Sequence, residues 1–141
     1  EPVTLMCLDL DNFKSINDRL GHQAGDEILR QFTREVKSII RDTDMLFRWG
    51  GDEFFLLMAG CSTREAAVVA EKVRATAVVA ENVRAAIGGR DVAIKGESIP
   101  LTASIGVTEV TLADNMDSAV GRADRAMYQS KEAGRNRVAI L

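Results

Sequence analysis

The chain has 141 residues, 46% of them apolar and 28% charged, with a formal net charge of −3. That length suits one domain, spanning 1–141, able to bury roughly two thirds of its unfolded surface, and the composition is that of an ordinary soluble globular protein. The negative balance speaks against a broad nucleic-acid-binding face, the isolated Cys7 and Cys61 suggest neither a zinc site nor a disulfide framework, and no stretch reaches the length of a membrane span. Two lone thiols fit a reducing cytosol, and a start at Glu1 with neither an initiator Met nor a signal-like segment suggests a piece of a longer multidomain protein.

Val3 to Leu10 is a nearly continuous apolar run that reads as a buried strand, with Asp9-Leu10-Asp11 bringing carboxylates to its C-terminal edge. Phe13, Ile16 and Leu20 then fall at helical spacing up to Gly21, and Ile28, Leu29, Phe32, Val36, Ile39 and Ile40 form the apolar stripe of a second helix from about Gln23 to Arg41. Met45 to Trp49 and Phe54 to Met58 read as two strands of a hairpin turned by Gly50 and Gly51, where positive φ is tolerated and a ligand could approach the backbone. Ser62-Thr63-Arg64-Glu65 has capping-box spacing and opens a long Ala/Val-rich helix ending near Gly88-Gly89. Leu101, Ala103, Ile105 and Val107 alternate with small or polar residues as in a strand with two distinct faces. A final helix from about Asp117 to Ala133 and a short strand from Arg137 to Leu141 complete the order β-α-α-β-β-α-β-α-β. Such an order implies a mixed sheet with helices packed mainly on one side.

Inside the long helix, residues 67–76 repeat as 77–86 with changes only at Lys72/Asn82 and Thr76/Ala86. Ten residues fall about 80° short of three full helical turns, so the second copy cannot present the same face as the first. One copy is expected on the sheet, with the other extending the helix or looped out.

Asp9 and the pair Asp52/Glu53 would converge if their strands are neighbours. Hard oxygen ligands at strand ends suit Mg²⁺, which takes one or two carboxylates and leaves its other positions to water and phosphates. The plain alternative for each acid is a helix cap or a solvated turn.

The residues between and beyond these acids give a specific resemblance. Asp9-Leu10-Asp11, Phe13-Lys14, Asn17-Asp18, Gly21-His22, Gly25-Asp26, Gly50-Gly51-Asp52-Glu53-Phe54 and the tail Ala123-Asp124, Ala126-Met127-Tyr128, Lys131, Gly134-Arg135-Asn136 are together similar to the GGDEF family of diguanylate cyclases, over almost the whole chain. The resemblance implies an α/β (α+β) fold with a mostly antiparallel sheet of about five strands flanked by helices, like the nucleotidyl cyclase and polymerase palm. It also implies condensation of two GTP molecules into cyclic di-GMP with loss of two pyrophosphates, in the cytoplasm, by a homodimer driven by a regulatory domain elsewhere in the chain. On this resemblance Asp9, the Leu10 carbonyl, Asp52 and Glu53 hold Mg²⁺, or Mn²⁺ in its place, and Asp52 and Glu53 are catalytic.

The same resemblance puts Phe13, Asn17, His22, Asp26, Gly50, Gly51, Lys131 and Arg135 on the substrate. Asn17 and Asp26 would read guanine, whose N1 and N2 protons suit a carboxylate and are absent from adenine. His22 could equally be a helix cap, and Lys131 and Arg135, implied on the β- and γ-phosphates, could be ordinary basic decoration of a helix C-terminus. Arg41 and Asp44 resemble the family's product-inhibition site, the alternative being a helix-ending Arg beside a capping Asp. A third basic residue from the long helix belongs to that site, with Lys72, Arg74 and Arg84 as candidates. The rival to an active cyclase is a module that binds GTP or cyclic di-GMP without turnover. A pure dimerisation element would explain neither the acids nor the glycines.

Overall fold

The computed structural model describes residues 1–88 and 101–141, with side chains described for 1–77 and 101–141. Among these residues the order is β1 (Val3–Asp11), α1 (Phe13–Leu20), α2 (His22–Ile39), β2 (Met45–Gly50), β3 (Glu53–Ala59), α3 (Thr63–Gly88), β4 (Thr102–Val110), α4 (Met116–Glu132) and β5 (Arg137–Ile140). The strands form one sheet in the order β2-β3-β1-β4-β5, antiparallel throughout except for the parallel pair β4 and β5.

Because β1 lies at the centre, both of its faces are covered. Met6, Leu8 and Leu10 point into a core shared with α1, α2 and α3, whereas Leu5 and Cys7 pack with Phe55 and with Ala119, Ala123 and Met127 of α4. Three helices on one face and one on the other is the expected arrangement, skewed to one side. α3 meets the sheet through Ala66, Ala70, Val73 and Ala77, all fully buried, so the first copy of the repeat lies on the core. The side chains of 78–86, and with them Arg84, lie outside the described residues.

Boundaries shift where local hydrogen bonds intervene. α2 stops at Ile39 because Ile40 turns extended and the Arg41 backbone N–H donates to Asp44 Oδ2 at 2.8 Å. α4 starts at Met116 because Asn115 and Ser118 cap each other's backbone N–H groups. The capping box read at Ser62 and Glu65 is present, with bonds of 3.1 and 3.2 Å.

β4 and α4 approach most closely at Gly106. A Cβ there would lie 2.1 Å from the Met127 backbone nitrogen and 2.4 Å from the Ala123 carbonyl oxygen, neither of which can rotate away. Gly106→Ala should therefore destabilise by about 2 kcal/mol, within the range of core overpacking. Gly121→Ala, whose nearest neighbour is the mobile end of Arg125 at 3.6 Å, should be neutral or stabilising by up to about 1 kcal/mol. Thermal melts of the two variants check this, and equal midpoints would refute it.

Candidate active site

Strand register builds the acidic half of the site. β1 pairs with β3 so that Asp9 stands opposite Glu53, and the Leu10 backbone N–H donates to the Asp52 carbonyl at 3.3 Å. The carboxylates of Asp9 and Asp11, two residues apart, lie on the face that α4 covers. From α4, Lys131 Nζ reaches Asp9 Oδ2 at 3.0 Å and Asp11 Oδ1 at 3.4 Å. Asp11 is fully buried and also accepts from Thr102 Oγ1 (2.7 Å), Ser104 Oγ (2.8 Å) and the Asn136 backbone N–H (3.2 Å).

Asp9 is not so well satisfied, since its Oδ1 is buried with no hydrogen-bond partner. Burial first, and then the neighbouring Asp52, push its carboxyl up to about 7 against the pull of Lys131. Burial, Asp124 and Asp52 likewise raise Glu53. Burial pulls the Lys131 ammonium down, but Asp9 and Asp11 outweigh it and hold the group above its ordinary value. A cluster of hard, mutually repelling carboxylates with an orphaned oxygen fits a divalent cation of the Mg²⁺ type. Cys7 Sγ lies within 4.8 Å of carboxylate oxygens of Glu53 and Asp124. Burial and Glu53 push this thiol far up, which makes it a neutral filler rather than a thiolate ligand.

The other half of the site lies on the opposite face of the sheet. Phe13, Lys14, Asn17, His22, Asp26, Leu29, Arg48, Gly51 and Asp52 line a cavity of about 410 Å³. Gly25 makes room for the Asn17 side chain, because a Cβ there would sit 1.6 Å from Asn17 Oδ1. That Asn17 oxygen is buried and unpartnered, so it lacks a donor. The turn makes no use of the positive φ that glycine tolerates, since neither Gly50 nor Gly51 adopts it. Its shape is held instead by Arg48, whose Nε donates to the Gly51 carbonyl at 2.8 Å. A Cβ on either glycine would meet nothing within 4 Å, so the space over the turn is free for a ligand.

Phe13, Asn17, His22, Asp26, Gly51 and Asp52 are thus gathered around one cavity, with Asp9, Leu10, Glu53 and Lys131 beside it. Arg135 is exposed on the loop that follows α4. Arg41 and Asp44 are distant from this group and bonded to each other, Nη2 to Oδ1 at 2.7 Å. Lys37, Arg41, Asp44 and Leu46 are among the residues that border a cavity of about 400 Å³ there. Arg74, one of the candidates for its third basic residue, pairs with Glu71 and with Asn136. Reasoning from sequence overlooked Asp11 as a hub, its partners Thr102 and Ser104, and Arg48. The two-residue spacing from Asp9 and the polar positions of the alternating β4 carried a signal for the first three.

The family model for the diguanylate cyclase GGDEF domain matches residues 1–137. The chain belongs to the GGDEF family. It is 36% identical over 141 residues to diguanylate cyclase A of Treponema denticola, covering 99% of this chain and 35% of that protein. It is 38% identical over 142 residues to diguanylate cyclase VdcA of Vibrio cholerae, covering 100% and 40%. The chain therefore spans little more than a third of these curated relatives. Among solved structures, the active GGEEF domain of a Vibrio cholerae diguanylate cyclase superposes with a TM-score of 0.79 at 28% identity, covering 99% of this chain and 83% of that one. The GGDEF domain of DgcB from Caulobacter crescentus, in complex with c-di-GMP, gives 0.78 at 27%, covering 99% and 77%. GGDEF cyclases are divalent-metal dependent, in keeping with the donor set here. No helix among the described residues is long and apolar enough to cross a membrane.

The raised Asp9 carboxyl makes a stability prediction. An unfolded aspartate titrates near 3.9, so folding takes up a proton between there and about 7. The stability tied to this group is fully present below the unfolded value and is lost as pH rises through the folded one. Asp9→Asn should raise the stability of the metal-free protein at pH 8 by about 1 kcal/mol, allowing for partial solvent screening. The gain should vanish below about pH 4. Melting midpoints across pH measure it, and a variant no more stable than wild type at pH 8 would contradict it.

Proposed function

We propose that this chain is the catalytic domain of a diguanylate cyclase, joining two GTP molecules into cyclic di-GMP with release of two pyrophosphates. The observation that carries this reading is the meeting, at one end of the sheet, of an acidic cluster with an orphaned buried oxygen and a cavity whose Asn17 lacks a donor. Guanine offers that donor through N1–H and N2–H, and Asp26 in the same cavity accepts from the same edge. The triphosphate then runs over the open Gly50-Gly51 turn toward Lys131 and Arg135.

Asp9, the Leu10 carbonyl, Asp52 and Glu53 would hold Mg²⁺, or Mn²⁺ in its place. Such an ion supplies charge neutralisation on the triphosphate when bound. The 3′-oxygen of one GTP bonds to the α-phosphorus of the other, the bridge to the β-phosphorus breaks, and pyrophosphate leaves with the electron pair. The hydroxyl proton passes to the Asp52/Glu53 pair. Burial and neighbouring acids hold the Glu53 carboxyl above the usual carboxylate range, which favours proton acceptance there.

One chain offers one nucleotide site, and a cyclic dinucleotide needs two attacks related by a two-fold axis, so the active species is a homodimer. The remaining length of the curated relatives leaves room for a regulatory domain that brings two copies together. GTP as substrate and two reduced thiols fit a cytoplasmic domain.

Incubation with GTP and Mg²⁺, followed by separation of the nucleotides, tests the reading. Cyclic di-GMP should form with a rate that rises more steeply than linearly with enzyme concentration. Glu53→Gln and Asp52→Asn should each lower it by about 100-fold or more. No product from a forcibly dimerised chain, with either Mg²⁺ or Mn²⁺, would rule out the cyclase. GTP binding without turnover would leave a binding module.

Cyclic di-GMP is also proposed as an inhibitor at Arg41 and Asp44, where the guanidinium fork suits its phosphate or guanine acceptors once Arg41 exchanges its Asp44 contacts for the ligand. Arg41→Ala should weaken cyclic di-GMP binding, read by calorimetry, by about tenfold. Undiminished affinity would move the inhibitory site elsewhere.

A further inference from the structure

The loop that closes α4 is held from a helix that takes no other part in the proposed reaction. Gly134, Arg135 and Asn136 pass in succession through left-handed backbone, with φ of 123°, 64° and 49°. Glycine adopts such angles freely, whereas arginine and asparagine do so only when their surroundings impose them. The Gly134 N–H donates to the Lys131 carbonyl at 3.2 Å and the Arg135 N–H to the Ser130 carbonyl at 2.9 Å. This paired closure of a helix end accounts for the left-handed Gly134 and ties down the Arg135 N–H. It leaves Asn136 unexplained.

Two contacts fix Asn136. Its backbone N–H donates to Asp11 Oδ2 at 3.2 Å, and its side-chain Oδ1 accepts from Arg74 Nη1 at 2.8 Å. Arg74 belongs to α3 and is half-buried, and Glu71, three residues earlier, orients its guanidinium through an ion pair at 3.0 Å. Asp11 is the same carboxylate that receives Lys131. A continuous path of polar contacts therefore runs from Arg74 through Asn136 and Asp11 to Lys131 and Asp9, and Arg135 is the residue immediately before the one that is clamped.

We infer that Arg74 is a positioning residue for the triphosphate end of the site: by holding Asn136 against Asp11 it sets the backbone from which Arg135 extends. This inference rests on the reading of Lys131 and Arg135 as phosphate ligands. It gives α3 a role in nucleotide binding without any contact to the nucleotide, and it assigns the first copy of the repeated segment a task beyond covering the sheet.

Calorimetric titration with GTP and with guanosine, in the presence of Mg²⁺, separates positioning from general support. Arg74→Ala should weaken GTP binding about three- to tenfold, as for loss of one charge-assisted hydrogen bond, and leave guanosine within about twofold. In an Arg135→Ala background the same substitution should add little, because both act on one group. Hydrogen–deuterium exchange of the ligand-free protein should show faster exchange in the loop peptide around Asn136. Unchanged GTP affinity with unchanged loop exchange would overturn the inference. So would an equal loss for GTP and guanosine accompanied by a lower melting midpoint, which marks a merely structural contact. A wild-type protein that binds GTP no better than guanosine would defeat the phosphate reading itself, and loop exchange would still decide whether Arg74 holds Asn136.

Discussion

Everything at the site depends on the register of β1 between β3 and β4. Antiparallel pairing on both sides sets Asp9 opposite Glu53 on one neighbour and opposite Ser104 on the other, and Asp11 opposite Thr102. Side chains alternate along a strand, so a slip of one residue would turn both acids toward the α1–α3 core and leave Leu8 and Leu10 facing Lys131. The apolar positions Met6, Leu8 and Leu10, buried among α1, α2 and α3, fix that register as firmly as the hydrogen bonds do. The core and the acidic cluster are thus two faces of one alternation.

The consequence is a crowd of carboxylates at a strand end, and the protein treats its members differently. Asp11 is satisfied on all sides by two hydroxyls, a backbone N–H and Lys131, which makes it a structural anchor. Asp9 keeps an oxygen without a partner and carries a raised pKa. One acid is committed to architecture, and its neighbour two residues away keeps an oxygen without a partner. Lys131 bridges them, so its charge is already present at the site before any phosphate arrives.

The cavity proposed for the nucleotide draws on the other face of the same sheet, where α1 and α2 enclose Asn17 against Gly25. Its wall at the turn is braced from both sides. Arg48 pins the Gly51 carbonyl, while Phe47 and Trp49 contact Phe55 with ring centroids 6.0 and 5.6 Å apart. A rigid turn with an open approach is what positioning of a flexible triphosphate requires.

The sequence by itself determined the elements, their order and the family. Apolar runs of strand and helix period marked β1, α2, β3 and β4, capping residues marked α3, and the spaced motifs named the family. Those signals are local, carried within a few residues of one another, and so they survive without coordinates. Only the tertiary structure decided what depends on long-range neighbours: that Asp11 anchors Thr102, Ser104 and Asn136, that Lys131 pairs with Asp9 and Asp11, that Arg41 closes on Asp44, and that Arg74 reaches Asn136. Each of these links joins segments whose approach is set by sheet order and helix packing, or chooses among partners equally plausible in one dimension. The Gly-Gly turn shows the same division. Its position was legible in the chain, but its conformation and the Arg48 contact that holds it follow from how the hairpin is folded.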